Sequence, residues 1–453
     1  MTSTPTQDAM RRRKSSVRRP SISLDKLKPM HQAAPPRQGD DFNILLFGAG
    51  AINFGTVEGP WNHSFRIEHR LGPRLKIVGL IDPSIDRAKA AIKAKCDSFV
   101  RSAYQDALIC ASFDDFVKRA QPGQYPQAAI LGSPPQFRGT DKPPFNIEAQ
   151  IIKAFPEIGL FIEKPVSTGP VENALGVAKL LQQKRVVASV GYFLRYLKPV
   201  QKIKELIDAN GLHVMATTAR YSASYEHTNK LAWWDKSKDC GPIVEQATHF
   251  ADLSRYFGGD VALDTVQAHA LEHYEEAGRL SKIPIPEDSI PPEQRIPRVT
   301  SAIWKYTTGA VGTLTHSLVL QGAKYDTEIE VIADGWSFRL VDPYGKAELR
   351  IRRPGSDAEE IHMEKDDDPF FTEIASFIDA IDPSNPKSIK KAPEVIEESD
   401  DEASDEGAAT PNEYLADTDI LSSYEDACKT YELTWRIREA SERSQKMGVI
   451  GQQ

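Results

Sequence analysis

Three groups of residues in this 453-residue chain have types and spacings that can do chemistry. Gly48-Ala49-Gly50 follows the apolar run 43–47, the placement a dinucleotide-binding turn requires. The first glycine allows the turn, and the second lets the backbone approach a pyrophosphate. Ala51 and Ile52 continue the turn and join the candidate cofactor site. Asp82 ends the next apolar run, 76–81, where a carboxylate can bind ribose hydroxyls and repel a 2′-phosphate. That favours NAD and leaves NADP open; Arg87, five residues on, reads as a surface helix residue. Asn53 stands where a third glycine would fall, with Gly55 after it. The separation of Gly48 from Asp82 exceeds the usual spacing of roughly 20 residues, so an insertion spanning residues 55–74 must be accommodated.

The second group, Glu163-Lys164-Pro165, directly follows the apolar run 158–162. Ligands bind at the carboxyl edge of a parallel sheet, so Lys164 is placed to steady an alkoxide and hold a nicotinamide amide. Pro165 would fix the turn, a cis bond being one way to do so. The third group is Glu245 and His249, four apart and on one face if a helix starts near Pro242. His249 can exchange a proton near neutral pH, and Glu245 can orient it or relay its proton. Asp252 is a second candidate partner. Each group also has a plain structural reading: a tight turn, an exposed lysine, an ordinary pair on a helix.

The elements that must position these groups are legible. Runs at 43–47, 76–81, 128–131 and 158–162 alternate with helical segments, including 84–95 behind Ser84, which argues for a doubly wound parallel sheet. After a helix near 168–184 and the run 186–192, the strands become longer and alternate: 213–223, 262–271, 300–307, 310–320, 326–333 and 337–352. They predict a second, α+β domain on an open, mostly antiparallel sheet, with terminal helices at 369–381 and 422–446. The fold class is thus α/β with a disordered basic tail 1–41, a dinucleotide-binding domain 42–166 and a substrate and oligomerisation domain 167–446. Within the last, 383–418 reads as a disordered acidic insertion.

Composition narrows the classes. Hydrophobic residues make up 40%, enough for a folded protein carrying some disordered length. The net charge of −8 hides a +5 tail over residues 1–43 and a −8 stretch over 393–407. The core between them is moderately acidic and lacks the positive field that nucleic-acid binding needs. No apolar run has the length of a membrane span, and no secretory signal core opens the chain. Four scattered cysteines form neither a zinc spacing nor a disulfide framework, which points to the cytoplasm and to no metal site. The run Arg11–Arg19 leaves nuclear import, phosphorylation and plain solvation open.

Together, the glycine turn, Glu163-Lys164-Pro165, Val190-Gly191-Tyr192 with Arg195, and Gly241 through Asp252 resemble the Gfo/Idh/MocA family of oxidoreductases. The likeness spans residues 42–381, and the last helix continues it. It implies a Rossmann domain followed by an open-sheet domain often used for homo-oligomerisation. It also implies hydride transfer between NAD(P) and a sugar, polyol or related hydroxyl compound. The resemblance places the catalytic lysine on Lys164 and the acid–histidine pair on Glu245 and His249, with Glu163 at the cofactor. The family's Thr-Pro becomes Ser133-Pro134, followed by Arg138 where members often carry histidine. Phe193-Leu194-Arg195 replaces Asn-Arg-Arg, and only Gly241 remains of a glycine triplet. Arg195 is a candidate substrate residue, with Tyr221 and Trp234, which together with Tyr225 and Trp233 could wall a sugar ring. Two other readings fit the chain: a non-catalytic NAD(P) sensor, and a glycosidase that uses bound NAD without net consumption.

Overall fold

The apolar run after Asp41 becomes β1 (Phe42–Phe47), fully buried but for Asn43, and the first sheet grows outward from it. Its other strands are β2 (Leu75–Ile81), β3 (Leu108–Cys110), β4 (Ala128–Leu131), β5 (Gly159–Ile162) and β6 (Ala188–Val190). They lie in the order β3-β2-β1-β4-β5-β6 with every pairing parallel. This is the dinucleotide-binding order, with its crevice where the order reverses beside β1. The short, continuously apolar strands are what a sheet covered on both faces requires. The expected domain boundary at 166 falls inside this sheet, because β6 completes it 22 residues later. The computed structural model describes residues 40–56, 59–386, 388–389 and 415–450. The basic tail before residue 40 and the acidic segment 390–414 lie outside them.

The second sheet comprises β7 (Val214–Ser224), β8 (Val261–Leu271), β9 (Val299–Tyr306), β10 (Val311–Leu320), β11 (Asp326–Ala333), β12 (Trp336–Val341), β13 (Glu348–Arg352) and β14 (Glu359–Met363). Their order is β14-β13-β12-β11-β7-β10-β9-β8, antiparallel throughout except for β10 against β7. Strict alternation, as in β9 and β12, buries one face and leaves the other open. The stretch 337–352 is two strands, with the expected turn Asp342-Pro343-Tyr344-Gly345 bringing the chain back between β12 and β13.

Two helices tie the sheets together. Pro369–Ile381 puts Phe370 into the core of the second sheet and Ile374 and Phe377 against the first. The long helix Tyr424–Ile450 is anchored at its start, where Ser422 accepts from the Val190 amide at 2.9 Å. No helix among the described residues is long and apolar enough to cross a membrane.

Candidate active site

At the crevice, Gly48 has φ +89°, and a Cβ there would lie 3.1 Å from the Gly132 carbonyl. The position therefore admits only glycine, and the loops after β1 and β4 touch. Gly50 faces open space, with nothing within 4 Å of a would-be Cβ. That opening is the room a pyrophosphate needs against bare backbone. Asn53, fully buried, donates from Nδ2 to the Phe47 and Gly48 carbonyls, both at 2.8 Å. It pins the turn from beneath, the work a third glycine does elsewhere by close packing. Ala51 and Ile52 begin the short helix Ala51–Phe54, which then breaks. The chain resumes helix at His63–Leu71, where Asn62 caps Phe65 at 3.0 Å.

Asp82 is almost fully buried at the end of β2, with both oxygens engaged. Oδ2 accepts from the Ala49 amide at 2.7 Å and Oδ1 from the Ser84 amide at 2.8 Å. Arg87 contacts both, at 2.9 and 3.0 Å. It is thus the partner of Asp82, one helical turn away, and not a lone surface residue. Burial would raise the Asp82 carboxyl, but Arg87 and the two amides hold it below the usual range. Ser133 and Pro134 follow β4 at the same sheet edge. Arg138 is buried behind them, donating to the Ser133, Val166 and Glu163 carbonyls at 3.3, 2.9 and 2.5 Å. It joins the ends of β4 and β5. The donors, the glycine opening and the acid fit a dinucleotide.

The chemical end lies where β5 stops. The Lys164–Pro165 bond is cis. Lys164 Nζ donates to the Glu245 carbonyl at 2.8 Å and to its Oε1 at 3.4 Å, while Trp233 Nε1 donates to Oε2 at 3.0 Å. Burial alone would raise the Glu245 carboxyl; Lys164 and Trp233 overcome it and hold it below the usual carboxylate range. The expected single helix is two, Pro242–Glu245 and Thr248–Gly258, broken at Gln246, whose Oε1 contacts His316 Nε2 at 2.8 Å. The break turns Glu245 toward Lys164 instead of His249. The His249 Nδ1 is buried without a partner, inside rings of Phe193 at 5.1 Å, Tyr192 at 5.9 Å and Tyr344 at 6.0 Å. Burial, then the Lys164 charge, push its pKa well below the ordinary histidine value. A neutral imidazole beside an ammonium suits a general base.

Other candidates are spent elsewhere. Asp252 does not orient His249; both its oxygens take Arg195, at 2.6 and 2.7 Å. Arg195, itself 4% exposed, also meets Asp426 at 2.6 Å, so it braces the helix Tyr424–Ile450. Trp234 is fully buried and donates to the Thr228 carbonyl at 2.8 Å, and Tyr225 packs beside it. Tyr221 is buried too, but its ring lies 5.7 Å from Tyr344, at the edge of the site. Of the proposed aromatic wall, Trp233 reaches the constellation directly, through its N–H. Two residues escaped the sequence reading. Tyr344 sat in a segment legible only as a turn, and His63, 2.6 Å from Glu163, in the insertion. The Asn62 cap was the available signal for the latter.

Residues 42–192 match the family model "Oxidoreductase family, NAD-binding Rossmann fold" (GFO_IDH_MocA), and 195–336 match "Putative oxidoreductase C terminal domain". Two Schizosaccharomyces pombe proteins, UNK4.17 and C12C2.04, both described as uncharacterized, are each 42% identical to it. The first alignment covers 90% of this chain and 94% of its relative, the second 87% and 96%. The chain belongs to the Gfo/Idh/MocA family. As a member it is an oxidoreductase with an NAD-binding Rossmann domain. Among solved structures, the fold matches a dehydrogenase from Chromobacterium violaceum with TM-score 0.62 at 13% identity, covering 91% of this chain and 98% of that one. It also matches the WlbA dehydrogenase of Bordetella pertussis, solved with NADH and UDP-GlcNAcA, with TM-score 0.59 at 14% identity, covering 89% and 97%.

Proposed function

We propose that this Gfo/Idh/MocA member oxidises a secondary hydroxyl of a sugar, polyol or sugar derivative, with His249 as general base. One observation carries the reading: Lys164, Glu245 and His249 meet at the carboxyl end of β5 with the imidazole held neutral. Bound NAD(P) supplies the hydride acceptor. His249 takes the hydroxyl proton, and Lys164, poised by Glu245, steadies the developing alkoxide. Glu245 is a positioning residue for the lysine, in place of the orienting role toward His249 expected from spacing. Gly48, Gly50, Ala51, Ile52, Asp82, Ser133 and Pro134 form the dinucleotide cradle, with NAD preferred because Asp82 occupies the ribose end. Retention of the whole constellation favours an enzyme over a sensor.

The test is NADH formation over a panel of sugars, polyols and nucleotide sugars. One or more should turn over, and Lys164→Ala and His249→Ala should each lose roughly 10²-fold or more. Nucleotide binding without turnover would favour the sensor. The open face of the second sheet is the surface we expect to meet a second copy. Thr218, Thr313, Ile303 and Glu330 stand in register on it. Ile303→Arg should lower the mass measured in solution. A cytoplasmic location belongs to the same proposal, supported by four cysteines that form no disulfide.

A further inference from the structure

The mechanism above leaves one buried cluster unused. His63 is fully buried at the start of the helix His63–Leu71, and its Nε2 lies 2.6 Å from Glu163 Oε1. Its ring stands edge-on to Phe161 at 5.1 Å, and its Nδ1 is buried with no partner. Glu163 keeps 12% side-chain exposure and rests against Gly191, where a Cβ would lie 2.9 Å from Oε2. Glu373, from the helix Pro369–Ile381, lies close enough to feel its charge. That residue is fully buried, and both its carboxyl oxygens lack a hydrogen-bond partner. Burial, then the Glu163 charge, push the Glu373 carboxyl well above its usual range. Arg66, one turn from His63, is committed to Asp368 at 3.0 Å.

We propose that Glu163, held by His63, discriminates oxidised from reduced nicotinamide by presenting one fixed negative charge at the hydride-accepting end of the crevice. This rests on the cofactor reading above. The next residue, Lys164, meets Glu245 beside His249, so the reacting end of the dinucleotide must finish here while Asp82 marks the other end. The oxidised ring is a cation and the reduced ring is neutral. A carboxylate in a partly dry cleft therefore binds the first more tightly than the second. An Nε2–H on His63 would donate to Glu163 Oε1 and hold that carboxylate in place at the crevice. His63 is thus a positioning residue, and it reaches Glu163 because the phosphate-binding helix breaks after Phe54 and restarts at His63.

The experiment measures Kd for NAD+ and for NADH on the full chain, by calorimetry, with melting temperatures recorded alongside. Glu163→Gln and His63→Ala should each weaken NAD+ relative to NADH by about tenfold, the effect of losing one screened charge contact of roughly 1.4 kcal/mol. His63→Gln, whose amide can still donate, should keep most of the wild-type ratio. Equal weakening of both nucleotides in Glu163→Gln and His63→Ala would overturn the inference and leave a structural role only. Failure of the wild-type protein to bind any nicotinamide dinucleotide would overturn the cofactor reading itself, and this inference with it.

Discussion

Lys164 Nζ lies 2.8 Å from the main-chain carbonyl of Glu245 and 3.4 Å from its carboxylate, so the acid four residues before His249 serves the lysine. The histidine is left with a buried, unpartnered Nδ1 and a pKa pushed down first by burial and then by that same ammonium. A base with a depressed pKa works above its pKa and fails below it. Oxidation should therefore rise with pH through a midpoint below the usual value of about 6.5 and stay flat above. Replacing Lys164 by Met removes the second cause, so the His249 midpoint should move upward yet remain below the ordinary value. NMR titration of the imidazole checks this without requiring activity.

Arg195 separates a structural role from a substrate role. Its buried contacts to Asp252 and Asp426 predict that Arg195→Ala leaves buried Asp252 without its guanidinium partner, while Asp426 keeps Arg255 at 2.8 Å. The cost should be about 3–5 kcal/mol of stability, read by denaturant unfolding. A substrate contact would instead raise KM and leave unfolding unchanged.

The Asp82–Arg87 pair predicts cofactor choice. Arg87 is 57% exposed at its side chain and can leave Asp82 to meet a 2′-phosphate. Arg87→Ala should weaken NADPH severalfold while NADH binding holds or improves. Asp82→Ala should weaken NADH, because the acid also fixes the Ala49 amide of the glycine turn. Fluorescence titration with both nucleotides measures each outcome.

Much of this architecture was readable in the residues. The strand at 128–131 and the helix at 369–381 fall where their apolar patterns put them, because polar residues bracket each sharply. Three-residue β3 has too few positions to show a period, and β14 is mostly exposed and carries acids, so its pairing comes from β13. The helix break at Gln246 and Ala247 was illegible for another reason. Neither residue opposes helix strongly; the distant His316 draws Gln246 away. Asn53 was visible as a departure from the glycine pattern, but its two hydrogen bonds to the turn depend on the folded loop.

Glu373 predicts a pH-dependent stability. Its folded pKa is raised by burial and by Glu163, so its favourable contribution is complete below the unfolded value of about 4.5 and is lost as pH rises through the folded value. Glu373→Met should therefore melt higher than wild type at pH 8, and the gain should shrink toward pH 5. Thermal melts at the two pH values decide it.

The central claim is that Lys164 and His249 do the chemistry at the end of β5. Steady-state NADH formation with one turned-over hydroxyl substrate tests it most directly, comparing wild type, Lys164→Ala and His249→Ala at matched nucleotide saturation. The account predicts kcat losses of roughly 10²-fold or more in both variants with nucleotide Kd nearly unchanged for His249→Ala. Near wild-type turnover in either variant would contradict it.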